Sequence, residues 1–460
     1  MEEEKRIMKH YGPLAFVLYH AVAFLNAYDT QLLPICMRAF EVSLGLSPSS
    51  LSILATVELM TIMGVCPFWG VLVDLYKCNY VQSASMVVNG LICILLGCAS
   101  SYPYMVFLRI MHGFVLSSLA PVMHKIITDS RSSESQGTYY SINYGVYCVG
   151  RIASFYITST LAMKSILGYC GWRFCYIVMG CAWLIVGVLV YFYMRPTDDT
   201  PGVRIFSADA STNEQRSILE STLKILKTGT FWILVVVMIA GDTPFAMLVY
   251  MVLYFQYSGL SDVNAGVATA TVRFGAVVGS FAGGYVIDAC HKLNKKYGRI
   301  GIGTSIVVVR LVSSTILLSI PIVNATITWH HYIELILLGA TLVITPGIER
   351  PVLAAVVPIE NQGLALSLIR VIGGMPSYAT FVPLIGFMAE RAFGYTKTKE
   401  LVENMEQELR DTNATALRKS MLYVMVVSTI ITIISYIGLL FTYPKDARKE
   451  NVVSSKPLSP

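Results

Sequence analysis

The sequence predicts an all-α membrane protein whose twelve transmembrane helices form two pseudo-symmetric six-helix bundles. Three observations point there: an apolar composition, twelve long hydrophobic runs, and an internal repeat spanning about half the chain. Of 460 residues, 55% are hydrophobic and only 13% charged, a balance that excludes an ordinary soluble domain.

Runs long enough to cross roughly 30 Å of hydrocarbon fall at 13–34, 51–73, 81–99, 104–127, 138–161, 174–194, 231–255, 263–288, 299–321, 332–357, 363–388 and 420–443. They are continuous rather than alternating, and an open sheet edge has no hydrogen-bond partners in lipid, so each run reads as a helix. A polar segment divides them six and six. The expected organisation is therefore an N-terminal half at 1–194, a cytosolic linker at 195–230 and a C-terminal half at 231–460. Within the linker, the amphipathic stretch from Glu214 to Lys227 is expected to lie along the inner membrane surface.

Orientation follows from the basic residues. Placing both termini in the cytosol gathers most of the 34 lysines and arginines on that side. It also leaves the two glycosylation sequons, at Asn324 and Asn413, on the opposite face. The net charge of +6 is the excess expected of such a topology, and no nucleic-acid partner is implied. Ala21-Val22-Ala23 has the small residues of a leader cleavage site, but cutting there would destroy the first span, so that helix is expected to be retained. The ten cysteines show no metal-ligand spacing and read as small packing residues, with a Cys36–Cys170 bridge as the alternative. No metal and no cofactor are expected; the loop pair His330-His331 is the nearest approach to a metal motif.

The repeat appears as ordered pairs. Gly70, Asp74 and Lys77 at the end of one apolar run are answered by Gly284, Asp288 and Lys292 at the end of another. Asp29-Thr30 recurs as Asp242-Thr243, Pro121 with His124-Lys125 as Pro346 with Glu349-Arg350, and the stretch from Glu134 as that from Glu360. An ordered series of this kind is what a parallel duplication leaves behind.

These residues resemble the major facilitator superfamily of transporters. That family carries Gly-x-x-x-Asp before basic residues between its second and third helices, often echoed between the eighth and ninth. It also has an arginine four residues before a glycine in the fourth helix, here Arg109 and Gly113, and Gly-Trp-Arg at the sixth, here Gly171-Trp172-Arg173. The resemblance covers nearly the whole chain and implies the major facilitator fold. There are departures: only Lys77 follows Asp74 closely, and Gly150 is followed by Arg151 where antiporters have Gly-Pro. Asn26-Ala27-Tyr28-Asp29 and Ala120-Pro121 also look like the spinster-type lysolipid carriers, although Thr30 replaces the arginine usual there.

An ionisable residue inside a span is costly enough to mark a cavity, a partner or a water path. Asp29, Arg109, His112 and Asp242 are the candidates for transport and coupling, because the resemblance places the first, fourth, seventh and tenth helices around the central cavity. By position along their spans, Asp29 and Arg109 share the outer third and are placed to pair, as coupling groups or as a fixed ion pair aligning helices. Arg151, Arg273, Glu58 and Glu334 are substrate-binding candidates, and the excess of arginine favours a solute bearing carboxylate, phosphate or sulfate. Arg310 is expected to pack on a carboxylate between helices. Gly70, Asp74, Lys77, Gly284 and Asp288 are gating candidates, since in the family the aspartate meets cations and helix N-termini in a charge lock.

The resulting expectation is a monomeric secondary transporter, not an enzyme. It would move a small organic solute through the lipid bilayer by alternating access, with protons as a coupling ion. A spinster-like lysolipid carrier, a passive facilitator and a non-transporting receptor are the alternatives.

Overall fold

The computed structural model describes residues 13–130, 133–166, 168–194, 222–294, 297–322, 325–357, 362–402 and 404–454. Lys295, Lys296, Asn324 and linker residues 195–221 lie outside that set, as do the side chain of Asp74 and those of the repeat stretches from Glu134 and Glu360.

The described chain is helical almost throughout. In order come α1 (Pro13–Leu44), α2 (Pro48–Leu75), α3 (Cys78–Cys98), α4 (Tyr102–Leu116), α5 (Leu119–Ser130) and α6 (Ser133–Ala162). A two-residue hairpin, Ser165–Ile166 against Tyr169–Cys170, then leads into α7 (Gly171–Tyr193). After the linker follow α8 (Gly229–Gly241), α9 (Thr243–Tyr257), α10 (Asp262–Leu293), α11 (Gly298–Ser319) and α12 (Trp329–Ala354). Next is α13 (Gln362–Ile369), which passes through a π-helix at Arg370–Gly374 into α14 (Met375–Arg391), and last α15 (Gln407–Ser454).

Two spans are broken in the middle, and proline explains both. Pro121 has no N–H to donate to the Ser117 carbonyl, and the chain breaks between α4 and α5 there. Pro244 likewise cannot serve the carbonyl of Ala240, which accepts instead from the Thr243 hydroxyl at 2.8 Å. Counting each broken span once, ten of the described helical segments are long and apolar enough to cross a membrane. The other two predicted spans, α1 and α6, have the length at 32 and 30 residues but are more polar.

Besides the buried apolar core, many large apolar side chains point outward, with Val17, Ile185 and Phe441 each more than three-fifths exposed. Several charged ones are buried: Asp29, Arg38, Glu41, Arg109, His112 and Arg310 are at most 2% exposed. That combination suits a lipid solvent.

Contacts divide the chain into two compact units. The first joins Met1–Ile205 with Tyr250–Ala270 and Thr396–Asn413. The second comprises Phe206–Val249, Thr271–Tyr395 and Ala414–Pro460. In the first, α3 crosses α7 at paired glycines: a Cβ on Gly90 would sit 2.7 Å from the Gly180 carbonyl oxygen, so only hydrogen allows the backbones to meet. The second is cored by Phe231, Leu234, Val307, Val352 and Tyr436.

Two expectations are corrected. The first span does not end at Pro34; α1 continues to Leu44 and carries a buried ion pair in its last turns. Asn413 is no glycan acceptor in the folded chain, because it lies inside α15, fully buried, with its amide bonded both ways to the Thr396 backbone at 2.8 Å. All ten cysteines, Cys36 and Cys170 included, are unbridged.

Candidate functional site

With α1 running to Leu44, Asp29 stands at its midpoint and not near its outer end. Its Oδ2 accepts from Trp183 Nε1 of α7 at 2.8 Å and from Asn89 Nδ2 of α3 at 3.2 Å, and it faces His112 Nε2 of α4 at 3.1 Å. The opposite ring nitrogen, His112 Nδ1, lies 2.9 Å from Glu58 Oε1 on α2. Glu58 Oε2 accepts from Arg109 at 2.6 Å, and the far side of that guanidinium donates to the Tyr176 hydroxyl.

Arg109 therefore pairs with Glu58, while His112 separates it from Asp29. Helix geometry gives the reason. Arg109, His112 and Gly113 share one face of α4, and a Cβ on Gly113 would lie 2.5 Å from the Glu58 carbonyl oxygen. The glycine lets α2 press against α4 and delivers Glu58 to both cationic side chains.

Hydrogen-bond inventory fixes what this arrangement holds. A neutral imidazole offers one N–H and one lone pair, yet both His112 nitrogens face carboxylate oxygens. Either the ring is an imidazolium or one carboxyl carries a proton. With that proton, the four ionisable groups sum to zero; without it, the buried cluster carries one uncompensated negative charge, which is costly. Cys93 Sγ also lies 3.5 Å from His112 Nε2 and 3.7 Å from Asp29 Oδ2. The three donor atoms are mutually close enough for a metal ion, but Arg109, Trp183 and Asn89 already supply the charge and donors that the carboxylates need.

A second buried cluster in the same unit was not foreseen. Arg38 pairs with Glu41 at 2.9 Å, donates to the Tyr257 hydroxyl at 2.7 Å and to the Thr398 carbonyl at 3.2 Å, and also reaches the Glu400 carbonyl. Glu41 accepts from Tyr257 at 2.8 Å and from the Thr398 amide at 3.3 Å. Asn413 anchors the start of this segment at Thr396. The sequence signal was an i,i+3 charge pair beyond Pro34, legible only if the helix is continued.

In the second unit Asp242 sits at the α8–α9 break, half-buried and within electrostatic reach of Arg310 and Arg370. Arg310 has no carboxylate within ion-pair distance among the described residues, contrary to expectation. It donates to the carbonyls of Gly241 at 3.2 Å and Thr341 at 2.7 Å, and to the Thr345 hydroxyl. The helix break at Pro244 and the in-helix Pro346 favour these acceptors, since bent helices turn carbonyls outward. Glu349 accepts from Tyr436 at 3.3 Å.

Of the substrate-binding candidates, only Glu58 joins the Asp29 network. Arg151 stacks on Tyr147 of its own helix, 4.7 Å from the ring centre. Arg273 and Glu334 are buried elsewhere, on α10 and α12. Among the gating candidates, Lys77 and Asp288 are exposed, and Asp288 has no hydrogen-bond or ion-pair partner among the described residues. A Cβ on Gly70 or Gly284 would meet nothing within 4 Å, so the structure shows no close approach there.

The sequence profile of the Major Facilitator Superfamily matches residues 20–380. Among solved structures, a bacterial homolog to the human lysosomal transporter Spinster, in an inward-facing and unoccupied conformation, aligns with TM-score 0.75 at 16% identity, covering 94% of this chain and 98% of that one. The nucleoside transporter NupG aligns with TM-score 0.66 at 9% identity (93% and 100% covered). A D-xylose–proton symporter gives 0.63 at 14% identity (93% and 96% covered). No curated protein sequence matches. The chain belongs to the Major Facilitator Superfamily: it is an integral multi-pass membrane transporter with the all-α fold of that family, and not an enzyme.

Proposed function

We propose that this member of the Major Facilitator Superfamily is a proton-coupled secondary transporter that moves a small organic solute bearing an anionic group by alternating access. The observation that carries the reading is the ring of His112, which faces a carboxylate with each nitrogen while Arg109 occupies Glu58. Such a cluster is stable with one shared proton and strained without it. Any state of the carrier that opens the cluster to water lets that proton leave, and the protonated and deprotonated forms then favour different conformations. A proton gradient becomes a bias on the transport cycle. Asp29 is the acceptor on this reading, because its remaining partners, Trp183 and Asn89, are neutral and bring no cation.

The test is uptake in proteoliposomes with and without an imposed pH gradient. The solute is first found by a thermal-shift screen that includes organic anions and, given the spinster-like fold, lysophospholipids. Asp29→Asn and His112→Gln are expected to lose the response to the gradient while still exchanging solute across the membrane. A wild-type response in Asp29→Asn would make the cluster a structural one.

Both termini are proposed to be cytosolic, on the distribution of basic residues. Asp74 and Asp288 are proposed to engage in a charge lock in another conformation, on the strength of the repeat. The proposed functional form is the monomer.

A further inference from the structure

We infer that the buried polar face of α3 holds a single file of ordered water running from the N-terminal end of that helix to Asp29. Gln82, Ser85 and Asn89 are 0%, 3% and 1% exposed. Both amide atoms of Gln82, the hydroxyl of Ser85 and Oδ1 of Asn89 have no hydrogen-bond partner among the described residues. Orphaned buried polar atoms are rare in folded proteins, and four of them on successive turns of one helix call for a common partner. Steps of three and four residues put these side chains on one face, with neighbouring Cβ atoms about 5–6 Å apart. Two hydrogen bonds of about 2.8 Å span that gap, so one water bridges each pair.

Both ends of the file are defined, and all its residues lie in the first unit. At one end Asn79, in the first turn of α3 and 4% exposed, follows the exposed Tyr76 and Lys77. On the proposed topology this end is cytosolic. At the other end Asn89 Nδ2 donates to Asp29 Oδ2 at 3.2 Å. Among the described residues Asp29 Oδ1 faces only the Cys93 thiol, at 4.0 Å, so it keeps an acceptor position for a water that also donates to Asn89 Oδ1.

Ser83 supplies an internal contrast. Its hydroxyl donates to the Gly187 carbonyl of α7 at 2.8 Å. The polar group turned toward α7 is thus spent on packing, while those turned toward Asp29 have no protein partner.

The use of the file rests on the proposed function: it is the route by which a proton reaches Asp29. A hydronium at the N-terminal end of α3 gives a proton to the first water, each water releases another to the next, and the last forms the Asp29 Oδ1–H bond. The carboxylate is neutralised and every water ends with the protons it began with.

The test of the water is independent of transport. Purified protein in nanodiscs receives microsecond X-ray pulses, which convert bound water to hydroxyl radical in place and oxidise the nearest thioether. Met86 follows Gln82 by four residues, on the next turn of the same face. It is 0% exposed, as is Met37 on α1, the control. Met86 is expected to oxidise at least tenfold faster than Met37. Gln82→Leu, which replaces the amide by an apolar group, is expected to bring Met86 down to the rate of Met37, and Ser83→Ala to leave it as in wild type. Gln82→Ser, which keeps a polar group and leaves room for water, guards against a variant that does not fold and is expected to retain the labelling. Met86 as slow as Met37 in wild type, or unaffected by Gln82→Leu, overturns the file.

In proteoliposomes, uptake driven by a pH gradient is expected to be at least tenfold slower in Gln82→Leu than in wild type or Ser83→Ala. Equal rates overturn the file as a proton route. A wild type that labels Met86 but ignores the gradient refutes coupling at Asp29 and supports the file, which the labelling alone decides.

Discussion

Arg109 and Arg310 are both buried arginines, at 1% and 2% exposure, yet they are neutralised in different ways. Arg109 ends a chain of ionisable side chains, with Glu58, His112 and Asp29 in series. Arg310 makes its hydrogen bonds to dipoles, two backbone carbonyls and a hydroxyl contributed by interrupted or proline-bearing helices, with Asp242 in electrostatic reach but outside ion-pair distance. A charge balanced by other charges changes its balance when one proton leaves. A charge balanced by carbonyls does not. The first unit thus holds groups suited to switching, while the buried arginine of the second holds a bent scaffold together.

The sharpest way to break this comparison is to remove each cation. Arg109→Ala strands a buried carboxylate and is expected to cost about 3–5 kcal/mol of stability, read as a fall in thermal midpoint of the purified protein. Adding Glu58→Gln should recover part of it. Arg310→Gln removes charge-assisted hydrogen bonds to neutral acceptors and should cost about 1.5–3 kcal/mol. Equal losses, with no rescue by Glu58→Gln, would erase the distinction.

A smaller effect is expected from the glycine that assembles the charged chain. Gly113→Ala places a methyl group 2.5 Å from the Glu58 carbonyl oxygen and is expected to cost about 1–3 kcal/mol, together with a weakened response of uptake to the pH gradient. Gly70→Ala, with open space around its Cβ, should stay within about 0.5 kcal/mol of wild type. If Gly113→Ala is as silent, the close approach of α2 and α4 does not build the site.

Smallest in stability are Asp288→Asn and Asp74→Asn. Each is expected to leave the thermal midpoint unchanged and to slow turnover without changing solute affinity, because a charge lock biases conformations and does not touch solute. Unchanged turnover in both would reduce those turns to ordinary loops.

Much of the fold was legible because lipid imposes length and apolarity on its spans. Boundaries were less legible. Pro34 looked like an end, but a helix already held by its neighbours tolerates one missing hydrogen bond, and α1 runs on to Leu44. Asp29, Arg109 and His112 were visible as ionisable groups in apolar runs. That Glu58 stands between two of them was not, since which faces meet depends on the α2–α4 approach at Gly113, a property of two helices and not of either sequence. Asn413 shows the converse: a three-residue motif says nothing about burial, and its amide is spent on Thr396.

The clasp around Arg38 has a kinetic consequence. Its ion pair, its bond to Tyr257 and its two carbonyl contacts all converge on one buried guanidinium, so moving that guanidinium breaks them together. Loosening this end of α1 is then a single activated event with a large enthalpy, and if transport requires it, turnover should rise steeply with temperature. Arg38→Lys, which cannot span the same partners, is expected to give a flatter temperature dependence of turnover over the same range.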